Sequence, residues 1–367
     1  MDGTVVLRGG TVVDGTGAPG RVADVAVEGG RVVAVGPGLT GTRELDASGQ
    51  VVAPGFIDIH THYDAQVFWD PDLTPSSFHG VTTVVAGNCG FSIAPCRPDG
   101  VELLVRTLQH VEDMSVDTLM AGVPWDEFAS FPQYLDAVER RGVSLNYACY
   151  VGHTAVRLAV MGPDAYERPA SAEELAAMAA AVEEAHRLGA GVAVHAMGEP
   201  GTLYAAQAGV ASIDHATQLS DETMRLMREK QIPAVPTFAI FEYFAEHAPS
   251  PAAAARERAL LDYKIREFKR QIATGIPFAV GSDVGPFPHG TQARELELMV
   301  RYGMKPLDVL QADLIQGAKL LGWGEEIGQL KPGYLADIIA VPGNPLEDIS
   351  TVERVSFVMK GGVVVRQ

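Results

Sequence analysis

Between residues 54 and 283, short apolar runs alternate with helix-length segments, and five of those runs stop at a His, Cys or Asp. No other feature constrains the fold of this chain as strongly. Runs of strand length lie at 56–59, 81–87, 145–151, 192–195, 211–215, 232–237 and 277–283. Helical segments lie at 101–120, 131–141, 171–188, 202–208, 221–230, 252–274 and 294–302. Strands that alternate with helices build parallel β/α units. In a closed sheet of this kind the C-terminal strand ends share one rim, where active sites sit. His60, His62, Cys89, His195, His215 and Asp283 all fall at such ends. One polar residue at a strand end is ordinary loop chemistry; six in register imply a shared site.

The expected fold is therefore α/β, a (β/α)8 TIM-like barrel. An eightfold barrel needs eight strands, and the sequence supplies about seven convincing ones. Either a cryptic strand lies within 157–166, or one unit is missing or distorted. The two ends of the chain differ from the middle. Valine-rich runs at 4–8, 22–28 and 31–36, and again at 336–341, 355–359 and 362–366, are divided by glycine pairs and Asp-Gly, which are turn signals. This pattern predicts a small β-sandwich domain from residues 1–53 and 330–367, outside a barrel domain at 54–329.

The stretch 54–64 reads P-G-F-I-D-I-H-T-H-Y-D. Successive side chains on a strand alternate faces, so His60 and His62 point the same way. Two neighbouring imidazoles suit a metal ion. They also suit a plain surface turn, so the pair does not decide the matter by itself.

Composition removes several classes of function. A net charge of −18 argues against nucleic acid and anionic membranes as partners. No apolar stretch reaches the roughly 18 residues of a membrane span. Residues 1–10 lack the apolar core of a signal peptide. Three cysteines, Cys89, Cys96 and Cys149, make no disulfide framework, and a reducing, cytoplasmic setting is expected.

The motifs resemble those of the metal-dependent amidohydrolase superfamily. G-F-I-D-I-H-T-H-Y-D at 55–64, H-G-V-T-T-V-V at 79–85, G-N-C-G-F-S at 87–92, V-G-H-T-A-V-R at 151–157 and V-M-G at 160–162 are similar to N-acyl-D-amino-acid deacylases, the D-aminoacylases. H-A-M-G-E at 195–199, S-I-D-H-A-T at 212–217, V-P-T at 235–237, G-S-D-V-G-P-F-P-H-G at 281–290 and P-G-Y-L-A-D at 332–337 are more similar to prolidase-like and imidazolonepropionase-like members. The resemblance implies a metal site of His60, His62, His195, His215 and Asp283, with one or two ions. Many relatives bridge two ions with a carbamylated lysine on the fourth strand, but no lysine precedes Lys230. The D-aminoacylases place a cysteine there, and Cys89 matches it. Zinc suits a His/Cys ligand set. Basic residues that follow the two late histidines in D-aminoacylases are replaced by Met197-Gly198 and Ala216-Thr217, and their glycine-rich fourth-strand segment is absent.

The implied reaction is hydrolysis of the amide bond of an N-acyl amino acid, D-enantiomers included, by metal-activated water. Asp283 is the expected general base. His153 is a candidate hydrogen-bond donor to the oxyanion, or a satisfied histidine in a strand-end loop. Tyr243, Arg157 and Arg294 are candidates for holding a substrate carboxylate. Asp58 is read as orienting a ligand imidazole, and Asp64 as bracing or capping its loop. His79, His110, His186 and His247 are read as surface or helix residues, His289 as a mouth or turn residue, and Cys96 and Cys149 as packing. A prolidase-like dipeptidase or carboxypeptidase is the second reading. A non-catalytic metal-binding or assembly barrel is the third. The partner is a small acyl-amino-acid or dipeptide substrate, and a homo-oligomer is compatible with the sequence.

Overall fold

The computed structural model describes residues 3–112, 114–187 and 191–367. Asp113 and Leu188, which the sequence assigns to helices, and the side chains of His110 and His186 lie outside the described residues. The chain opens with β1 (Val5–Val12), β2 (Arg21–Glu28), β3 (Arg31–Gly36), β4 (Arg43–Asp46) and β5 (Gln50–Pro54). Six strands follow in the middle: β6 (Phe56–Asp58), β7 (Val81–Ala86), β8 (Asn146–Cys149), β9 (Ala193–Ala196), β10 (Ser212–His215) and β11 (Ala234–Val235). The chain closes with β12 (Ile338–Pro342), β13 (Phe357–Lys360) and β14 (Val363–Arg366).

Both ends of the chain meet in one eight-stranded sheet, ordered β14-β13-β12-β5-β1-β2-β3, with β4 also paired to β1. The antiparallel β5–β12 ladder, from Pro54↔Ile338 to Gln50↔Pro342, joins the two ends. This sheet has its own apolar core, in which Val25, Val32 and Val52 from the start pack with Ala336, Ile338 and Met359 from the end. The sequence pattern anticipated neither β4 nor β5, whose short runs carry charged or glycine neighbours.

The middle strands pair in parallel as two trios, β6-β7-β8 and β11-β10-β9. All six residues of β7 are buried, which accounts for its unbroken apolar sequence. Residues 277–284 bridge the trios. Ala279 N–H donates to Ala234 O (3.0 Å), Ile59 N–H to Val280 O (3.3 Å) and Asp283 N–H to His60 O (2.9 Å). The strand run is thus β8, β7, β6, 277–284, β11, β10, β9, and among the described residues no ladder links β8 to β9. The run curls far enough that Cys89 Sγ, beyond β7, lies 3.3 Å from His195 Nδ1 in β9.

Twelve helices are described: α1 (Val101–Glu112), α2 (Val116–Gly122), α3 (Phe131–Arg141), α4 (His153–Met161), α5 (Ala172–Arg187), α6 (Gly201–Ala208), α7 (Asp221–Lys230), α8 (Phe238–His247), α9 (Pro251–Thr274), α10 (Arg294–Arg301), α11 (Pro306–Gln311) and α12 (Gly317–Leu320). The helix expected over 101–120 divides, because Ser115 caps α2 by accepting from Thr118 N–H at 3.1 Å. The cryptic strand sought within 157–166 is not there. Residues up to Met161 continue α4, whose Ala155, Val156, Leu158 and Met161 bury one helical face beside Leu104 and Met178. A short 3-10 turn, Gly162–Ala165, follows.

One glycine is required where β6 meets residues 277–284. A Cβ on Gly281 would lie 2.4 Å from His60 Cβ and 2.8 Å from Val235 Cγ1. Only a residue without a side chain lets β6 and residues 277–284 approach this closely.

Candidate metal centre

His60 and His62 follow β6 and are both buried. Asp58 fixes their backbone. Its carboxylate accepts from His60 N–H (3.2 Å), Ser282 N–H (2.9 Å) and Ser282 Oγ–H (2.5 Å), tying β6 to residues 277–284. Between the two histidines, Thr61 turns away and donates to Val85 O at 2.7 Å. The alternation expected of an H-x-H pair is therefore realised.

His60 Nδ1 faces Asp214 Oδ2 at 2.8 Å, and Ser212 Oγ donates to the other oxygen of that carboxylate at 2.8 Å. With Nδ1 paired in this way, His60 Nε2 is left to face Cys89 Sγ at 3.2 Å and Asp283 Oδ1 at 3.3 Å. His62 Nε2 lies 3.0 Å from Asp283 Oδ1, while its Nδ1 is buried without a partner.

Cys89 sits in the turn Asn88–Gly90. Asp64 holds the start of that turn, accepting from Gly87 N–H at 3.0 Å, and Asn88 donates to Thr61 O and Val85 O. Gly87 has φ +79° and leaves no room for a Cβ, which would lie 2.1 Å from Tyr150 O. The turn brings Cys89 Sγ to His195 Nδ1 (3.3 Å) and His215 Nε2 (3.4 Å). His215 Nδ1 in turn faces Thr237 Oγ1 at 2.8 Å.

Backbone strain collects here. Cys89 (φ 54°), His215 (φ 65°), Ala216 (φ 40°), Thr237 (φ 52°) and Asp283 (φ 59°) occupy the left-handed region. Each such residue costs roughly 1–3 kcal/mol and persists only where its surroundings enforce it. The twist at His215 explains why Asp214 and His215, adjacent in sequence, both serve the cluster: it breaks the strand alternation. For the same reason the alternation rule could not find Asp214.

The electrostatics set two anions among imidazoles. Burial pushes the Cys89 thiol up, but the His60 charge and hydrogen bonds to His195, His215 and His60 outweigh it and hold the thiol well below its ordinary value. Burial also raises Asp283, but His60, His62 and His215 pull its carboxyl well below the usual range. His62 is raised to about 10: burial opposes protonation, and Asp283 and Cys89 overcome it. His60 is raised against burial by Cys89, Asp283 and Asp214, and His195 is raised by its hydrogen bond to Cys89. Burial leaves His215 lowered.

The donor set fits a divalent cation. Ligand atoms of His60, Cys89, His215 and Asp283 all lie within 4.8 Å of one another. Zinc–ligand distances of roughly 2.0–2.3 Å put two ligand atoms of one ion no more than about 4.6 Å apart. A thiolate and a carboxylate would neutralise the charge, and binding would require the ligating imidazoles to be neutral. His62 and His195 reach this group through Asp283 and Cys89 respectively.

The other candidates are not among these donors. His153 is the exposed first residue of α4, beside the Asn88–Gly90 turn, and so opens a helix instead of sitting in a strand-end loop. Tyr243 is half-buried on α8, stacks on His247 (4.3 Å between ring centroids) and lies 6.1 Å from Phe287 in the loop after Asp283. Arg157 donates to Ala165 O (2.9 Å) and Arg168 O (2.8 Å). Arg294 is engaged by Glu242 and Glu297. Both guanidinium groups thus hold partners from their own chain. His289 packs edge-on against Tyr63, His79 faces Pro75 O, and Cys96 is buried with Leu104. Cys149 approaches Asp64 Oδ1 at 3.6 Å.

Sequence reasoning passed over two buried charged residues, Lys264 and Glu295. Lys264, buried on α9, donates to His215 O (2.5 Å) and Thr217 Oγ1 (3.3 Å), and burial pushes its ammonium down to about 7. Glu295, buried on α10, accepts from Phe238 N–H (2.8 Å) and Ala239 N–H (2.7 Å) at the start of α8, and burial raises it to about 8. Both lie on helices whose patterns read as ordinary, so nothing in the sequence marked them.

Parallel β/α units with clustered imidazole, thiol and carboxylate donors at their strand ends define an α/β protein with a candidate metal centre. Models of the amidohydrolase family match residues 150–365 and 43–165. The chain belongs to the amidohydrolase family. It is 38% identical over 253 residues to a D-aminoacylase of Alcaligenes xylosoxydans xylosoxydans, covering 63% of this chain and 49% of that protein. The chain thus spans about half the length of that relative. Among solved structures, an N-acyl-D-glutamate deacylase of Bordetella bronchiseptica, complexed with zinc and a phosphonate inhibitor, superimposes with a TM-score of 0.69 at 23% identity, covering 100% of this chain and 97% of that one. A Xaa-Pro dipeptidase with bound methionine superimposes with a TM-score of 0.67 at 24% identity, covering 99% and 100%. No described helix is long and apolar enough to cross a membrane.

Proposed function

We propose that this chain is a zinc-dependent amidohydrolase that cleaves the amide bond of N-acyl amino acids, N-acyl-D-amino acids foremost. The observation that carries the reading is the convergence of Cys89 Sγ and Asp283 Oδ1 on His60 Nε2, at 3.2 and 3.3 Å. His60, His62, Cys89, His195, His215 and Asp283 are the proposed ligands of one or two ions. The fold around them is read as a β/α barrel that lacks one unit between β8 and β9, over residues 54–329, with residues 1–53 and 330–367 as a separate small β domain.

A divalent cation, when bound, supplies Lewis-acid chemistry: it polarises a carbonyl and lowers the pKa of water towards about 7. The chain's own groups do the rest. Asp283, kept ionised by the neighbouring imidazoles, takes the proton of the attacking water and returns it to the leaving amine. Asp214 and Thr237 fix the ring orientations of His60 and His215. His153, the first residue of α4 beside the Cys89 turn, is the proposed hydrogen-bond donor to the developing oxyanion. Tyr243 is the remaining candidate for a substrate carboxylate, since Arg157 and Arg294 are held by internal partners.

A dipeptidase reading is favoured by one observation, the superposition of nearly the whole chain on a Xaa-Pro dipeptidase. Hydrolysis of N-acyl-D-methionine, N-acyl-L-methionine and acyl-proline dipeptides by the zinc-loaded protein separates the two. Faster release from the D-acyl substrate supports the deacylase, and faster release from the proline dipeptides overturns it in favour of the dipeptidase. Absence of both with metal bound would favour a non-catalytic barrel.

A further inference from the structure

The loop that follows β10 is held by one helix. Lys264 Nζ donates to His215 O at 2.5 Å, Gln271 Nε2 donates to Ala216 O at 2.7 Å, and Arg270 donates to Leu219 O. Residues 264 and 271 are seven apart and share one face of α9. His215 and Ala216 have consecutive positive φ values, so the backbone leaves the strand ladder here. Carbonyls that lose the ladder in a buried place need other donors. Lys264 and Gln271 supply them.

Lys264 is an unusual choice for such a donor. It is 2% exposed, and among the described residues no carboxylate oxygen lies within 4.0 Å of it. Its ammonium instead sits over the ring of Phe241 (4.3 Å), with Phe238 at 5.3 Å. A buried cation without an ion-pair partner is costly to keep. It donates at the residue whose ring nitrogen faces Cys89. His215 is therefore held at its carbonyl by Lys264 and at Nδ1 by Thr237, which leaves Nε2 aimed at the cluster.

We propose that Lys264 is a positioning residue of the metal centre, fixing the left-handed turn at His215 that aims His215 Nε2 at the ion. The inference rests on the metal-centre reading above. It assigns a role to a helix residue 49 positions away from His215 in sequence, and requires no contact between Lys264 and substrate.

The test compares the full-length wild type with Lys264→Met, Lys264→Arg and Phe268→Leu. Zinc affinity is measured by competition with a chromophoric chelator, and ligand geometry by the visible absorption of the cobalt(II)-substituted protein. Removing a residue that orients a ligand typically weakens metal binding about 10–100-fold. Lys264→Met is expected to show that loss and a changed cobalt spectrum, while the metal-free protein melts within a few degrees of wild type. Phe268→Leu, on α9 but with no donor to the loop, is expected to lower the melting temperature and leave affinity and spectrum unchanged. Should Lys264→Met fail to fold, Lys264→Arg decides: it keeps the charge but moves the donors, so weaker binding with a changed spectrum is expected. Wild-type affinity with an unchanged spectrum in the folded Lys264 variant would overturn the proposal and leave the metal centre standing. A wild type that binds no metal would overturn both.

Discussion

Cys89 Sγ lies 3.2 Å from His60 Nε2, across 29 residues of sequence. The approach depends on two devices. Asp64 pins the start of the cysteine turn, and Asp214 takes the other nitrogen of His60. Neither group contributes a donor to the cluster itself.

Cys89→Ala removes the only sulfur of the cluster and a negative charge from among the histidines. Metal affinity is expected to fall by more than about 100-fold, beyond the usual effect of a supporting residue. Metal content after exhaustive dialysis checks this. Stoichiometric metal and full hydrolysis in the variant would defeat the role given to Cys89.

Asp283→Asn keeps the shape and removes the base. Hydrolysis is expected to drop by roughly 10²–10⁴-fold, the range of general acid–base catalysis. Metal is expected to be retained more fully than in Cys89→Ala. Steady-state rates with matched metal content decide the matter, and near-wild-type turnover would remove Asp283 from the mechanism.

Gly281→Ala would place a methyl 2.4 Å from His60 Cβ. The end of β6 and residues 277–284 must separate to admit it. Overpacking of this kind costs about 1–3 kcal/mol, and His60 would move with the strand. A lower melting temperature together with weaker metal binding is expected. Lost stability with unchanged metal binding would show that the close approach serves only the fold.

Glu295 ties stability to pH. Burial raises its folded pKa to about 8 from an ordinary 4.5. Between those values the folded state binds more protons than the unfolded state, so this group's contribution is complete below pH 4.5 and is lost as pH rises through 8. The slope is at most about 1.4 kcal/mol per pH unit. Phe238 N–H and Ala239 N–H each use a separate oxygen of Glu295, so Glu295→Gln, which cannot ionise, keeps one of the two bonds and loses the other equally at every pH. Relative to wild type, the variant is expected to gain stability from pH 5 to pH 8. Parallel melting curves across that range would contradict the shift.

Much of the site was legible because strand ends carry it. His60, His62, His195, His215 and Asp283 terminate apolar runs, and Cys89 follows one, so their types and positions announced them. The shortage of strands was also legible: no described strand lies between β8 and β9, and residues 157–161 belong to a helix with a buried face, a pattern that in so short an apolar run is not distinguishable from a strand. What stayed hidden depends on backbone twist and distant packing. Asp214 serves the cluster only because His215 is left-handed. Lys264 and Glu295 act from helices that follow the strands, where their residue types look like solvated charge. Arg157 and Arg294 suggested anion binding by type alone, and their partners within the chain became visible only in three dimensions.

X-ray absorption at the zinc edge of the loaded wild-type protein tests the central claim most directly. The account predicts a sulfur scatterer at about 2.3 Å beside nitrogen and oxygen neighbours at roughly 2.0–2.2 Å, with the sulfur shell gone in Cys89→Ala. A wild-type spectrum fitted by nitrogen and oxygen alone would contradict it.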